Sequence, residues 1–148
     1  MNILIINGPN LNLLGSREPE IYGSLSFEKY LTDLQLKFRE HQIEYLQSNV
    51  EGELINFIQQ AMGKTDVILL NAGGYTHTSV AIADAISSIN IPVIEVHISQ
   101  TATRESFRHV SLIAKNCLAT VSGFGLASYD AAIAGFLTAQ RINSDKIN

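Results

Sequence analysis

Residues 67–77 read Val67-Ile68-Leu69-Leu70-Asn71-Ala72-Gly73-Gly74-Tyr75-Thr76-His77, and this stretch decides the fold. Four aliphatic residues without polar alternation suit a strand covered on both faces, as in a parallel sheet. At Asn71 the character changes to amide, small and imidazole side chains, so the strand runs out into a polar cluster. Working outward, the same change recurs. Ile3-Leu4-Ile5-Ile6 leads into Asn7-Gly8-Pro9-Asn10, and Val93-Ile94-Glu95-Val96 into His97-Ile98-Ser99. Cys117-Leu118-Ala119-Thr120-Val121 leads into Ser122-Gly123-Phe124-Gly125, and Ile43-Glu44-Tyr45-Leu46 is a weaker fifth run.

Helical patterns lie between these runs. Phe27, Leu31, Leu34 and Phe38 repeat at helical spacing, with Ser26 placed to cap and Glu28 in the first turn. Leu54, Ile55, Ile58, Ala61 and Met62 repeat the pattern, and Thr78 to Ser88 and Ser128 to Gln140 supply two more helices. Ala131, Ala132, Ile133, Ala134, Phe136 and Leu137 make the last one apolar around most of its circumference, which predicts burial, with another subunit as a candidate cover. Strands alternating with helices predict an α/β fold, a flavodoxin-like doubly wound five-stranded parallel sheet in the order 2-1-3-4-5.

The 148 residues match one domain of about 150. The reading is a single catalytic domain over 1–148, with a polar tail, Arg141 to Asn148, that frays. Hydrophobic residues make up 46% and charged residues 16%, which supplies a core and argues against long disordered tracts. The net charge is −4 with scattered basic residues, so no cationic stripe exists for a nucleic-acid backbone. No apolar stretch approaches the roughly 20 residues that span a bilayer, and the first residues lack the pattern of a secretory signal. The expectation is a cytoplasmic protein with no membrane and no nucleic-acid partner. Cys117, the single cysteine, sits among apolar neighbours and reads as an inert thiol.

Open parallel sheets bind ligands beyond the carboxyl ends of their strands, where the strand order reverses. In the order 2-1-3-4-5 that crevice lies between strands 1 and 3, so Asn10, Asn71 and His77 converge there with His97 one strand along. Glu95 and His97 are two apart, on one face of the strand and about 6.5–7 Å apart at Cα. A Glu that fixes a His tautomer for proton transfer explains the pair, and a satisfied polar pair at a strand end explains it too. The segment Gly15 to Gly23 has glycine at both ends and reads either as a lid over the crevice or as an ordinary surface loop. Within it, Arg17 is placed to favour the phenolate of Tyr22, whose ordinary pKa is near 10. Arg104 and Arg108 are four apart, so one helical turn directs both at an anionic or hydroxylated ligand, or both at solvent.

Taken together these segments resemble the type II 3-dehydroquinate dehydratases. The resemblance is chain-wide: it runs from Ile6 to Gly15, through Arg17-Glu18-Pro19 with Tyr22-Gly23, Glu51 to Ile55 and Asn71 to Val80, to Glu95 to Ser99 and Arg104 to His109. It implies conversion of 3-dehydroquinate to 3-dehydroshikimate plus water in the shikimate pathway, with no cofactor and no metal. In that family the tyrosine matching Tyr22 takes the C2 proton and the arginine matching Arg17 lowers its pKa. The histidine matching His97, oriented by the glutamate matching Glu95, protonates the departing C1 hydroxyl. Asn10 matches the residue that positions a water on the enolate oxygen. The resemblance places the substrate carboxylate on Asn71 and the backbone N–H groups of Ile98 and Ser99, and the ring hydroxyls on His77 and Arg108. Arg104 matches a residue that closes the lid. Asp84 matches an acid that reaches a neighbouring subunit's site in a trimer, four trimers making a homododecamer. Where the family commonly has Asn after the Ile-Ser pair and a His shortly beyond, this chain has Gln100-Thr101-Ala102-Thr103.

The alternative is a non-catalytic flavodoxin-like module holding a nucleotide or flavin at the same crevice, although Asn71 to Gly74 matches no phosphate-binding fingerprint. The lysines, Lys29, Lys37, Lys64, Lys115 and Lys146, lie in helices, loops or the tail, which disfavours an imine route.

Overall fold

The computed structural model describes residues 1–15 and 25–145. Its strands are β1 (Asn2–Asn7), β2 (Gln42–Gln47), β3 (Val67–Asn71), β4 (Val93–His97) and β5 (Ala119–Ser122). Its α-helices are α1 (Phe27–Lys37), α2 (Glu51–Gln60), α3 (Val80–Ser87) and α4 (Ala127–Asp145). The strands form one sheet in the order β2-β1-β3-β4-β5, and every neighbouring pair is parallel.

Side-chain alternation sorts the core into two layers. Ile3, Ile5, Val67, Leu69, Ile94 and Val96 pack with Phe27 and Leu34 of α1 and with Tyr129, Ile133 and Phe136 of α4. Leu4, Ile6, Ile68, Leu70 and Val93 point the other way, onto Leu54 and Ile58 of α2 and Ile82 and Ile86 of α3. Coverage on both faces is why β3 is an unbroken apolar run. Extending the alternation puts Asn7 and Asn71 on the α1–α4 side, and Glu95 and His97 on the α2–α3 side.

The helix starts follow from local chemistry. Ser26 Oγ accepts from Lys29 N at 3.4 Å, and Ser79 Oγ accepts from Ile82 N at 2.9 Å. At α2, Ser48 Oγ accepts from Val50 N at 2.9 Å and donates to the Glu53 carboxylate.

Three expectations need adjusting. The helix over Leu54 to Met62 stops at Gln60, and Met62 is exposed. Strand β5 begins at Ala119, after a 3₁₀ turn over Ala114–Asn116, and as an edge strand it is mostly uncovered. Helix α4, whose stripe Ser128, Tyr129, Ala132, Ile133 and Phe136 is buried within this chain, continues to Asp145, through residues assigned above to a frayed tail.

Candidate active site

A cleft of about 320 Å³ opens at the carboxyl ends of β1, β3 and β4. Asn10, Asn71, His77 and His97 all line it, joined by Ile98 and Ser99 after β4 and by Arg104 and Arg108. Residues dispersed over the sequence therefore meet where the strand order reverses.

The two floor segments are locked together. Gly8 N donates to Asn71 O at 2.7 Å, and a Cβ on Gly8 would lie 2.6 Å from Ala72 O, so only glycine fits. Asn10 has φ of 68°, a left-handed conformation that asparagine tolerates better than most residues, and its N–H donates to Asn49 Oδ1 at 3.0 Å. Gln47 Nε2 donates to Gly8 O and to the same Asn49 oxygen, at 3.2 and 3.1 Å, tying β2 to this turn.

On the α2–α3 side, Glu95 is buried behind His97. Its Oε1 lies 2.5 Å from His97 Nε2, and Ser111 Oγ donates to its Oε2 at 3.0 Å. A carboxylate accepting from both neighbours assigns a proton to His97 Nε2, so Nδ1 is the ring nitrogen left for exchange. His77 stacks on His97 with ring centroids 6.3 Å apart and planes 17° apart. Its Nδ1 lies 2.7 Å from Val110 O, a carbonyl that only accepts, so Nδ1 carries a proton and a neutral ring offers Nε2 as an acceptor.

The arginines occupy two short 3₁₀ turns, Thr101–Thr103 with Arg104 at its end and Ser106–Arg108, in place of one α-helical turn. Arg104 Nη1 donates to Ser99 Oγ at 3.3 Å. Glu105 Oε2 lies 3.5 Å from Arg104 Nε and 2.9 Å from Arg108 Nε, so one carboxylate braces both cations at the mouth. A hydrogen bond from its own backbone N–H, and then Arg108 and Arg104, hold the Glu105 carboxyl below the usual range.

Two residues given roles other than lining this chain's cleft lie away from it. Asp84 is exposed on α3, and Glu95 sits behind His97 and does not line the cavity. Tyr22 and Arg17, with most of the segment read as a lid, lie outside the described residues. Sequence reasoning missed Glu105, Ser111, Asn7 and Tyr129. An acid between two arginines was a visible signal for Glu105. A tyrosine in an apolar helical stripe was one for Tyr129, because a buried phenol needs a partner. Ser111 gave none, since its contact with Glu95 is made by the fold.

The model of the dehydroquinase class II family matches residues 1–137. A 3-dehydroquinate dehydratase from Prochlorococcus marinus is 52% identical over 139 residues, covering 93% of this chain and 94% of that one. The crystal structure of a type II dehydroquinase from Butyrivibrio crossotus superposes with a TM-score of 0.85 at 46% identity, over 90% of this chain and 95% of that one. That of a type II dehydroquinase from Propionibacterium acnes gives 0.87 at 38% identity, over 93% and 96%. With the fold, the cleft and these matches in agreement, the chain belongs to the dehydroquinase class II family.

Proposed function

We infer that this chain removes water from 3-dehydroquinate to give 3-dehydroshikimate, in the shikimate pathway and in the cytoplasm. The observation that carries this reading is the Ser111–Glu95–His97 chain of hydrogen bonds ending at the cleft that also holds Asn71, His77 and the two arginines. Loss of water beside a ketone needs a base, an acid and a group that steadies developing negative charge.

Tyr22 is the base. A phenol titrates near 10, and a guanidinium brought close to it, the role taken by Arg17, favours the phenolate. The phenolate takes the proton from C2, and the electrons of that C–H bond form an enolate with the C3 ketone. Asn10 holds a water on the enolate oxygen, a dipole set before charge appears. As the enolate collapses the C1–O bond breaks, and His97, entering this step as the imidazolium, gives the proton on Nδ1 to the departing hydroxyl, which leaves as water. The ring now carries a C1–C2 double bond conjugated with the ketone. Passing the proton from Tyr22 back to His97 resets the site.

Asn71 and the N–H groups of Ile98 and Ser99 take the carboxylate, and His77 and Arg108 take ring hydroxyls. Arg104 closes the lid. Asp84, exposed on α3, serves the site of a neighbouring subunit in a trimer, and four trimers form a homododecamer.

The test is direct. Purified protein mixed with 3-dehydroquinate, without added metal or cofactor, is expected to raise the ultraviolet absorbance as the enone forms. A flat trace at neutral pH overturns the reading.

A further inference from the structure

Tyr129 on α4 is fully buried, and its hydroxyl sits between two asparagines from different strands. Asn71 Nδ2 is 3.1 Å away and Asn7 Oδ1 is 2.7 Å away. The directions of these bonds can be deduced from a donor that has no choice. Gly73 N–H, a backbone group, donates to Asn71 Oδ1 at 3.2 Å. That fixes the Asn71 oxygen toward Gly73 and its nitrogen toward Tyr129. The phenol oxygen therefore accepts from Asn71, and its own proton goes to Asn7 Oδ1. At the far end Asn7 Nδ2 is buried without a hydrogen-bond partner among the described residues.

An amide has two N–H bonds on its nitrogen. With one committed to Tyr129 and the oxygen committed to Gly73, the second N–H is what Asn71 can offer the cleft it lines. We propose that Tyr129 is a positioning residue that, together with Gly73 N–H, holds the Asn71 amide with its second N–H toward the cleft, so that this end of the cleft presents a donor and selects an acceptor such as a carboxylate. This rests on the assignment of Asn71 to the substrate carboxylate made above. The phenol is suited to the task because burial raises its pKa above the ordinary tyrosine value, which keeps it a neutral donor.

Without the hydroxyl, only the 3.2 Å bond from Gly73 holds the amide, and its N–H is no longer fixed in the direction a bound carboxylate needs. Tyr129→Phe is therefore expected to raise the KM for 3-dehydroquinate roughly tenfold, the size of one charge-assisted hydrogen bond, with kcat within about twofold of wild type. In an Asn71→Ala background the same change is expected to alter KM by less than about twofold, because a group that acts through Asn71 has nothing left to act on. A residue that only stabilises the fold lowers the melting temperature and leaves KM and this coupling unmoved. If Tyr129→Phe alone does not fold, combining it with Asn7→Leu removes the stranded carbonyl oxygen while still depriving Asn71 of its partner, and the same KM rise is expected. An unchanged KM in the folded variant, or effects that add in the double variant, overturns this inference alone. Absence of turnover in the wild-type protein overturns it together with the substrate assignment.

Discussion

At the residue scale, burial and neighbours decide what each titratable group can do. Cys117 and His97 both lie near Glu95, and the contrast is informative. Cys117 is half-buried, its Sγ lies 3.4 Å from Ile113 O, and burial followed by the negative charge of Glu95 pushes its thiol up to about 12. Burial first, and the carboxylate that is bonded to the imidazole second, therefore keep the thiol protonated and unreactive. At pH 8 the native chain is expected to react with an aromatic disulfide reagent at least about a hundredfold more slowly than the urea-unfolded chain, whose thiol titrates near 8.5. The sign follows from the shift, because a raised thiol pKa depletes the thiolate at every pH below it. Equal rates for the two forms, followed by absorbance of the released thiol, contradict it. The reading of this cysteine as inert was available from its apolar neighbours. The contribution of Glu95 was not, since it depends on β4 and the turn after Ala114–Asn116 lying side by side.

At the scale of elements, the sheet was legible because its strands change chemistry at their carboxyl ends. Burial on both faces favours apolar residues along β1, β3 and β4, and the buried polar residues Asn7, Asn71, Glu95 and His97 come only toward the carboxyl ends, where hydrogen bonds satisfy them. What fell short depended on position in the assembled sheet. Strand β5 was placed two residues early because its apolar start, Cys117-Leu118, belongs to a turn, and Leu118 is exposed. The most constrained join is between the ends of β1 and β3, where Gly8 meets Ala72. Gly8→Ala forces backbone against backbone, so it is expected to lower stability by about 1–3 kcal/mol in urea titration and to reduce turnover as Asn10 moves away from Asn71. Wild-type stability and turnover together contradict the close approach.

At the scale of the whole molecule, the cleft exists because two apolar layers each end in polar groups of a different kind. The α1–α4 layer ends in Asn7, Asn71 and Tyr129, a set of neutral groups joined by hydrogen bonds. The α2–α3 layer ends in Glu95, Ser111 and His97, a set able to hold and move a proton. The sheet separates the two sets along its length, and Asn71 of one set and His97 of the other both line the cleft at the carboxyl ends of its strands. This division was half legible in sequence: alternation puts Glu95 and His97 on one face, but Tyr129 and Ser111 reach their partners only through helix packing and a returning loop. The central claim is that His97, held by Glu95, is the acid that releases water. Comparing enone formation by His97→Ala with wild type at neutral pH tests it most directly. A general acid accounts for roughly 10²–10⁴ in rate, so kcat is expected to fall by that factor with KM changed much less. A variant that turns over 3-dehydroquinate at the wild-type rate contradicts the account.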